Sequence, residues 1–380
     1  MKFRKFSTAV ITAAVAATAL AGVSAPAQAT PDATIRGAGA WVSVSGKTAD
    51  QIATLSSPNY VGWISAYARL DKVNPAPGVY NWSGFDAAAQ AAQRTGKPFA
   101  IMVILGTVGN GMPKHMVAGL KSDEMLSIDG RGQFPAFYSR TFQTRLTAFR
   151  TALANRYGTN PDLGMVRVTM PWSTHGEPWF EGGPAGRAQW TQKWQQFTRG
   201  GTYESLRAAY NQAELAAFDE MARLFPARVN LSMATGWAFN DQCTGSNAGL
   251  WANPSCHPQR LATWTAVRAK YGNRAVFQEN GAGDPENNGN FDGARGFGAW
   301  LADSFGPNGV VPGVIGAQQV AGVVKKDGRM DADRFVRMVQ VEGSRSRFLE
   351  VYETDLAYLN AGATDDARAM RNALQDATWR

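Results

Sequence analysis

Short apolar runs of strand length alternate along this chain with amphipathic stretches of helical length, and the alternation is completed eight times. The expected strands are Ala40 to Ser45, Gly62 to Leu70, Phe99 to Leu105, Met165 to Met170, Val229 to Ala234, Ala275 to Glu279, Val314 to Val320 and Phe348 to Glu353. Helical patterns lie at Phe85 to Thr95, Thr144 to Tyr157, Ala213 to Leu224, Gln259 to Tyr271, Ala294 to Phe305 and Ala332 to Gly343, with a last one at Asp365 to Trp379. Three helices share an exit, Arg94-Thr95-Gly96, Arg156-Tyr157-Gly158 and Lys270-Tyr271-Gly272, in which a cation and then glycine close the helix. Strand, helix and repeated exit together predict an α/β fold, a (β/α)8 barrel in one domain with extended βα loops. A doubly wound sheet would carry a glycine-rich phosphate turn after its first strand, and the one glycine-rich stretch, Gly106 to Gly111, reads as a loop at the barrel mouth instead. No Ser/Gly-rich or Pro-rich linker divides the chain, and 44% hydrophobic residues with 12 Trp leave aromatics over for a cleft once a core is filled.

The N-terminus has a different character. Lys2, Arg4 and Lys5 precede an apolar segment from Phe6 to Val23, and Ala27-Gln28-Ala29 then supplies small residues at cleavage spacing. Residues 1–29 are therefore expected to be a secretory signal peptide, and 30–380 the catalytic barrel of a secreted, extracellular protein; an uncleaved anchor is the other reading of the same segment. The net charge of +8 comes from 38 Lys and Arg against 30 Asp and Glu; without Lys2, Arg4 and Lys5 it is 35 against 30, or +5, spread without a basic run. That pattern describes a solvated surface and no nucleic-acid groove. In an exported chain Cys243 and Cys256 are expected to form a disulfide, with a thiol nucleophile beside His257 as the alternative.

In such a barrel the chemistry sits at the C-terminal ends of the strands, which sorts the acidic residues by position. Glu177 follows strand four in Met165-Val-Arg-Val-Thr-Met-Pro-Trp172-Ser-Thr-His175-Gly-Glu177-Pro-Trp179, an apolar run that breaks into polar and aromatic residues. A loop carboxylate that caps or salt-bridges is the plainer alternative. Glu279 ends strand six between Gln278 and Asn280, amides able to bond sugar hydroxyls or to satisfy a barrel rim. Arg69 and Asp71 close strand two, and Glu350 and Glu353 lie in strand eight. Glycoside cleavage needs two carboxyl groups about 5 to 9.5 Å apart, and Glu177 with Glu279 is the preferred pair; strand eight stands opposite strand four, so Glu353 must reach farther.

Sugar faces stack on aromatic rings, and Trp63, Trp82, Trp172, Trp179, Trp237 and Trp251 are candidates, with Trp179 and Trp237 just beyond strand ends. His115, in the loop after strand three, is a further mouth residue or an ordinary surface histidine. With histidines only at 115, 175 and 257, and neither His-x-x-x-His nor Cys-x-x-Cys, no metal site or cofactor is expected. Serine-esterase and nucleotide-binding motifs do not occur.

The segment Trp63-Ile-Ser-Ala-Tyr-Ala-Arg69-Leu-Asp-Lys-Val-Asn-Pro75-Ala-Pro-Gly78-Val-Tyr80-Asn-Trp82, followed by Phe85-Asp86 and then Arg94-Thr-Gly-Lys-Pro98, resembles the second strand, its loop and the following helix exit of the (β/α)8 glycoside hydrolases that include β-galactosidases and cellulases. The resemblance implies an acid/base glutamate after strand four, at Glu177, and a nucleophilic glutamate ending strand seven. Here strand seven reads Val314-Ile-Gly-Ala-Gln318-Gln319-Val320. The partner carboxylate then falls to Glu279, to Glu353, or to a loop acid such as Asp284 or Glu286. The combined expectation is a secreted glycoside hydrolase acting on an extracellular poly- or oligosaccharide, with Glu177 and Glu279 catalytic and Arg69, His115, Trp172, His175, Trp179, Trp237, Gln278, Asn280, Gln318 and Glu353 around the substrate. The competing reading is a barrel that binds carbohydrate without cleaving it.

Overall fold

The computed structural model describes residues 35–127, 132–170, 184–235, 258–282, 297–319 and 331–380, all within the unit Pro31–Arg380. Eight strands, β1 (Gly37–Ser43), β2 (Trp63–Arg69), β3 (Phe99–Ile104), β4 (Leu163–Arg167), β5 (Asn230–Thr235), β6 (Ala275–Ala282), β7 (Ile315–Gln319) and β8 (Phe348–Tyr352), close into a barrel. Each strand pairs in parallel with its two neighbours, and β1 pairs with β8 as well as with β2. The (β/α)8 architecture expected from the alternation is the one observed. Parallel strands require crossovers, and a strand walled by lumen on one side and helices on the other is apolar on both faces. All six residues of β3, Phe-Ala-Ile-Met-Val-Ile, are buried.

The outer ring is built from α1 (Ala49–Ser56), α2 (Ser83–Thr95), α3 (Arg140–Tyr157), α4 (Pro184–Thr198), α5 (Tyr203–Leu224), α6 (Pro258–Tyr271), α7 (Phe297–Phe305), α8 (Ala332–Arg345), α9 (Glu353–Ala361) and α10 (Asp365–Asp376). Helices α1, α4 and α9 are additions to the sequence reading. For α1 a signal was present: Thr48 accepts from the Gln51 amide while the Gln51 side chain returns to the Thr48 amide, a capping box written Thr-x-x-Gln. The three matching helix exits have two physical origins. Gly96 (φ +66°) and Gly272 (φ +54°) are left-handed, but Gly158 is right-handed (φ −58°), and a Cβ there would stand 2.6 Å from the Ala154 carbonyl oxygen.

Alternation along the strands assigns one set of side chains to the lumen and the other to the helices. The outward set meets the helices in stacked aromatics, such as Phe277 of β6 on Trp264 of α6 with ring centroids 4.5 Å apart. At the N-terminal end of the lumen, Trp63, Met165, Val276 and Phe348 come from strands two, four, six and eight. The Trp63 and Phe348 rings meet edge to face at 5.1 Å. The neighbouring strands make room for them with glycine: a Cβ on Gly39 would lie 2.2 Å from the Trp63 ring, and one on Gly316 would lie 2.1 Å from Phe348. Trp63 is thus part of the barrel floor. Because that layer is rigid backbone against fully buried rings, Gly39→Ala is expected to lower the unfolding free energy by about 1–3 kcal/mol. Urea denaturation measures this, and an unchanged midpoint would count against the packing described.

Candidate active site

Above the apolar floor the lumen turns polar. Glu350 of β8, fully buried, is held from three strands: Ser65 Oγ (β2) donates to Oε1 at 2.6 Å, Gln278 Nε2 (β6) to Oε2 at 2.6 Å, and Arg167 Nη2 (β4) to both oxygens at 3.0 and 2.9 Å. Arg167 Nη2 also donates to Gln278 Oε1 at 2.7 Å. These four residues come from alternate strands, the arrangement in which a barrel of this size fills its interior. Gln278, expected to bind substrate, instead spends both ends of its amide inside this layer. Glu350 is equally closed to a sugar.

The next inward positions form the mouth. Trp41 of β1 lies over the Arg167 guanidinium at 5.5 Å and stacks on Tyr67 of β2, with ring centroids 4.4 Å apart and planes 18° apart. Tyr352 of β8 packs against the same cluster. Glu353, the first residue of α9, is partly exposed and pairs with Lys47 of the β1 loop at 3.3 Å. Tyr67 lies close enough to feel that charge: burial, then the Glu353 carboxylate, push its hydroxyl up, and a hydrogen bond with Ser43 opposes them. Trp41, Tyr67, Tyr352 and Lys47 were not singled out from the sequence. Alternation puts Trp63, Ser65, Tyr67 and Arg69 on one face of β2, but which face meets the lumen is decided only in the closed sheet.

Several other expected residues sit on the rim. Arg69 forks onto Asp71, with Nε and Nη2 donating to its two oxygens at 3.2 and 2.8 Å. His115 Nε2 bonds Asn74 Oδ1 at 3.0 Å, tying the β3 loop to the β2 loop. Burial and Arg145 both lower the His115 pKa. Gln318 is an inward position of β7, paired in register with Glu350, and its Oε1 has no hydrogen-bond partner among the described residues. Asn280 lies on β6 where its pairing with β7 shifts register after Glu279, and it is partly buried. Trp82 belongs to an aromatic cluster with Tyr80, Phe149 and Tyr157, away from the lumen. Glu177, Trp172, His175, Trp179, Trp237, Trp251, Cys243, Cys256, Asp284 and Glu286 lie outside the described residues. Among the described residues no group of three or more His, Cys, Asp or Glu side chains is placed to hold a metal ion.

Glu279 departs from its expected position. Strand six continues to Ala282, so Glu279 is not its last residue, and it alternates with the lumen-facing Gln278. Its carboxylate points to α8, where Arg345 Nη2 donates to Oε2 at 3.2 Å and also pairs with Glu342. Two carboxylates thus share one guanidinium away from the lumen. Burial and then the Glu342 charge raise the Glu279 pKa from 4.5 to about 7, against the opposing pull of Arg345. Between those values the folded chain keeps a proton that the unfolded chain has released, so this group's contribution to stability is full below about pH 4.5 and is lost as pH rises through 7. Wild type is expected to lose on the order of 2–3 kcal/mol from this source over that window. In Glu279→Gln, neutral throughout, that slope should be absent, leaving Arg345 paired with Glu342. Thermal unfolding of both proteins from pH 4.5 to 8 tests this, and parallel curves would refute it.

The sequence model of glycoside hydrolase family 42, described as beta-galactosidase, matches residues 51–207. No curated protein matches the chain. The matched region runs from α1 through β2, β3 and β4 into α5, and contains the Pro75-Ala-Pro-Gly78 loop. There Asn74 Nδ2 clamps the Ala76 and Val79 carbonyls, each at 2.9 Å, and Asp86 accepts from Tyr157 and Arg156, each at 2.8 Å. A closed barrel of eight parallel strands together with this match places the chain among the (β/α)8 glycoside hydrolases: it is a member of that superfamily and an O-glycosyl hydrolase.

Proposed function

We propose that this glycoside hydrolase is exported and cleaves an extracellular poly- or oligosaccharide by a two-carboxylate mechanism with Glu177 as its general acid. The observation that carries the assignment is positional. Glu177 follows β4, whose C-terminal end opens onto the mouth lined by Trp41, Tyr67 and Tyr352, and it lies inside the segment that matches the family 42 model. A proton donor there would protonate the glycosidic oxygen as the C1–O bond breaks, so that the leaving sugar departs as a neutral alcohol. The family description makes a β-galactoside the first substrate to try.

Glu177→Gln is expected to reduce kcat about 10²–10⁴-fold on a glycan or on a substrate with a poor leaving group. The loss should be far smaller on 2,4-dinitrophenyl β-D-galactopyranoside, whose phenolate leaves without a proton. Steady-state kinetics on a glycan and aryl-glycoside panel read both effects. Equal turnover by wild type and variant would sink the role of Glu177, and binding without turnover by wild type across the panel would sink hydrolysis of these substrates.

Export is supported by Lys2, Arg4 and Lys5 ahead of the apolar Phe6 to Val23 and by Ala27-Gln28-Ala29. Protein recovered from the medium of a secreting host should begin at Thr30, and its unreduced mass should show Cys243 joined to Cys256. A retained chain beginning at Met1 would overturn export, and two free thiols the pairing.

A further inference from the structure

We propose that Trp194 and Phe197 form a platform, away from the barrel lumen, that binds an uncharged stretch of a glycan chain. The proposal rests on the reading that the substrate is a poly- or oligosaccharide, and it uses no residue of the mouth. Both rings belong to α4, which is inserted between β4 and the crossover helix α5. They are backed by the long connection from β3 to α3, whose short antiparallel pair Met125–Ser127 and Gln133–Pro135 packs against α4. Both insertions follow the C-terminal ends of strands, the face on which such barrels carry their active sites.

Trp190, Trp194 and Phe197 follow one another at helical spacing and so share one face of α4. The stripe leaves the core as it advances. Trp190 is fully buried, its ring edge-on to Phe134 at 5.5 Å and its Nε1 donating to the Ser127 carbonyl at 2.9 Å. Trp194 is partly buried, and Phe197 is 36% exposed. The Trp194 and Phe197 planes lie within 22° of each other with centroids 6.1 Å apart, and the Tyr138 ring backs them at 5.0 and 4.7 Å. Tyr138 is itself fixed by donating its hydroxyl to the Asp123 carbonyl at 2.8 Å. Trp194 Nε1 donates to Ser205 Oγ at 2.7 Å, and a Cβ on Gly201 would stand 2.3 Å from that nitrogen, so the α4–α5 turn is shaped to admit the indole. In the same turn Arg199 takes a left-handed φ of +61°, and the Gly201 amide donates to Thr198 Oγ1 at 2.8 Å. The rings are held before a ligand arrives, which spares binding the cost of ordering them.

The chemistry beside the rings selects the occupant. Gln192, Gln195, Gln196 and Thr198 are exposed on the same stretch of α4, and its one charged residue, Lys193, donates its ammonium to the Ser122 carbonyl at 2.6 Å. Aromatic faces flanked by uncharged amides and a hydroxyl match a pyranose, whose C–H face stacks on a ring while its hydroxyls bond amides. A second copy of the chain is a poorer fit. A stable protein interface covers roughly 800 Å² of each partner around clustered large apolar side chains. Among the described residues the other exposed large hydrophobics, Val79 and Val310, stand apart from α4, on the β2 loop and after α7. Holding a polymer at such a platform raises its local concentration at the catalytic face and leaves the bond-breaking step unchanged.

Affinity electrophoresis through gels holding galactan, xylan or cereal β-glucan, with polygalacturonate as the acidic control, reads binding. Hydrolysis of the same polymers, beside the aryl glycoside cleaved fastest, reads its consequence. Wild type is expected to be retarded by at least one neutral polymer. Phe197→Ala should weaken that retention about 3- to 10-fold and raise KM for the polymer by a similar factor, with kcat and the turnover of the aryl glycoside unchanged. Phe197→Tyr keeps the ring and should behave as wild type, and both variants should melt with it. Equal retention of Phe197→Ala and wild type, retention by polygalacturonate alone, or an equal loss on the aryl glycoside would each overturn the platform. A dimer in sedimentation that Phe197→Ala abolishes would overturn it in favour of a second copy. If wild type cleaves a polymer and Phe197→Ala does so with the same KM, this inference alone falls. If wild type neither binds nor cleaves any polymer, the parent reading of the substrate falls with it.

Discussion

The Arg167–Glu350 ion pair in the barrel lumen is the contact on which the site above it depends. Charges removed from water cost several kcal/mol each unless geometry and extra hydrogen bonds compensate, and here Ser65 and Gln278 supply the extra bonds. A network of this kind is useful less for its net stabilisation than for what it holds in place. It draws together side chains from β2, β4, β6 and β8, and its guanidinium supports the face of Trp41, on which Tyr67 then stacks. Through that chain of contacts the interior of the barrel sets the position of the mouth.

The acidic residues near the strand ends show how a two-residue period divides similar groups among different tasks. Glu279 and Gln278 are neighbours in sequence, yet one faces Arg345 across the helix layer while the other bonds Glu350 in the lumen. Glu350 and Glu353 are three residues apart, and strand eight ends between them, so one is sealed and the other emerges on α9. Placement at the end of an apolar run is therefore a weak filter. Side of the strand and distance past its end decide what a carboxylate can reach.

The segment that carries the family likeness earns its pattern physically. Asn74 holds the Pro-Ala-Pro-Gly turn closed through two carbonyls, and Asp86 at the start of α2 gathers Arg156 and Tyr157 from the end of α3. These bonds dock consecutive βα units against each other, a structural role for the segment. Strand seven, where the resemblance implied a nucleophilic glutamate, ends in Gln318 and Gln319. Gln318 faces the polar lumen layer, and Gln319 anchors Asp355 at the start of α9, close to Glu353.

Much of the architecture was legible from the chain alone. Eight apolar runs, helix-length intervals and capping residues are local patterns, and burial of one face forces them into a closed parallel barrel. Helices α1, α4 and α9 were less visible, because they are short or weakly amphipathic and one follows a strand without a break. Within the site, sequence placed Glu177 after the fourth strand and Glu353 at the eighth. It also put Gln278 and Glu279 at the end of the sixth strand, where neither keeps the expected setting. Which face of β6 meets the lumen, which cation meets which carboxylate, and which glycines admit Trp63 and Phe348 depend on residues from different elements of the barrel, as far apart as Arg167 and Glu350. Local periodicity carries the form of each element, whereas the partners of a buried charge are chosen only when the sheet closes and no water remains to substitute for them.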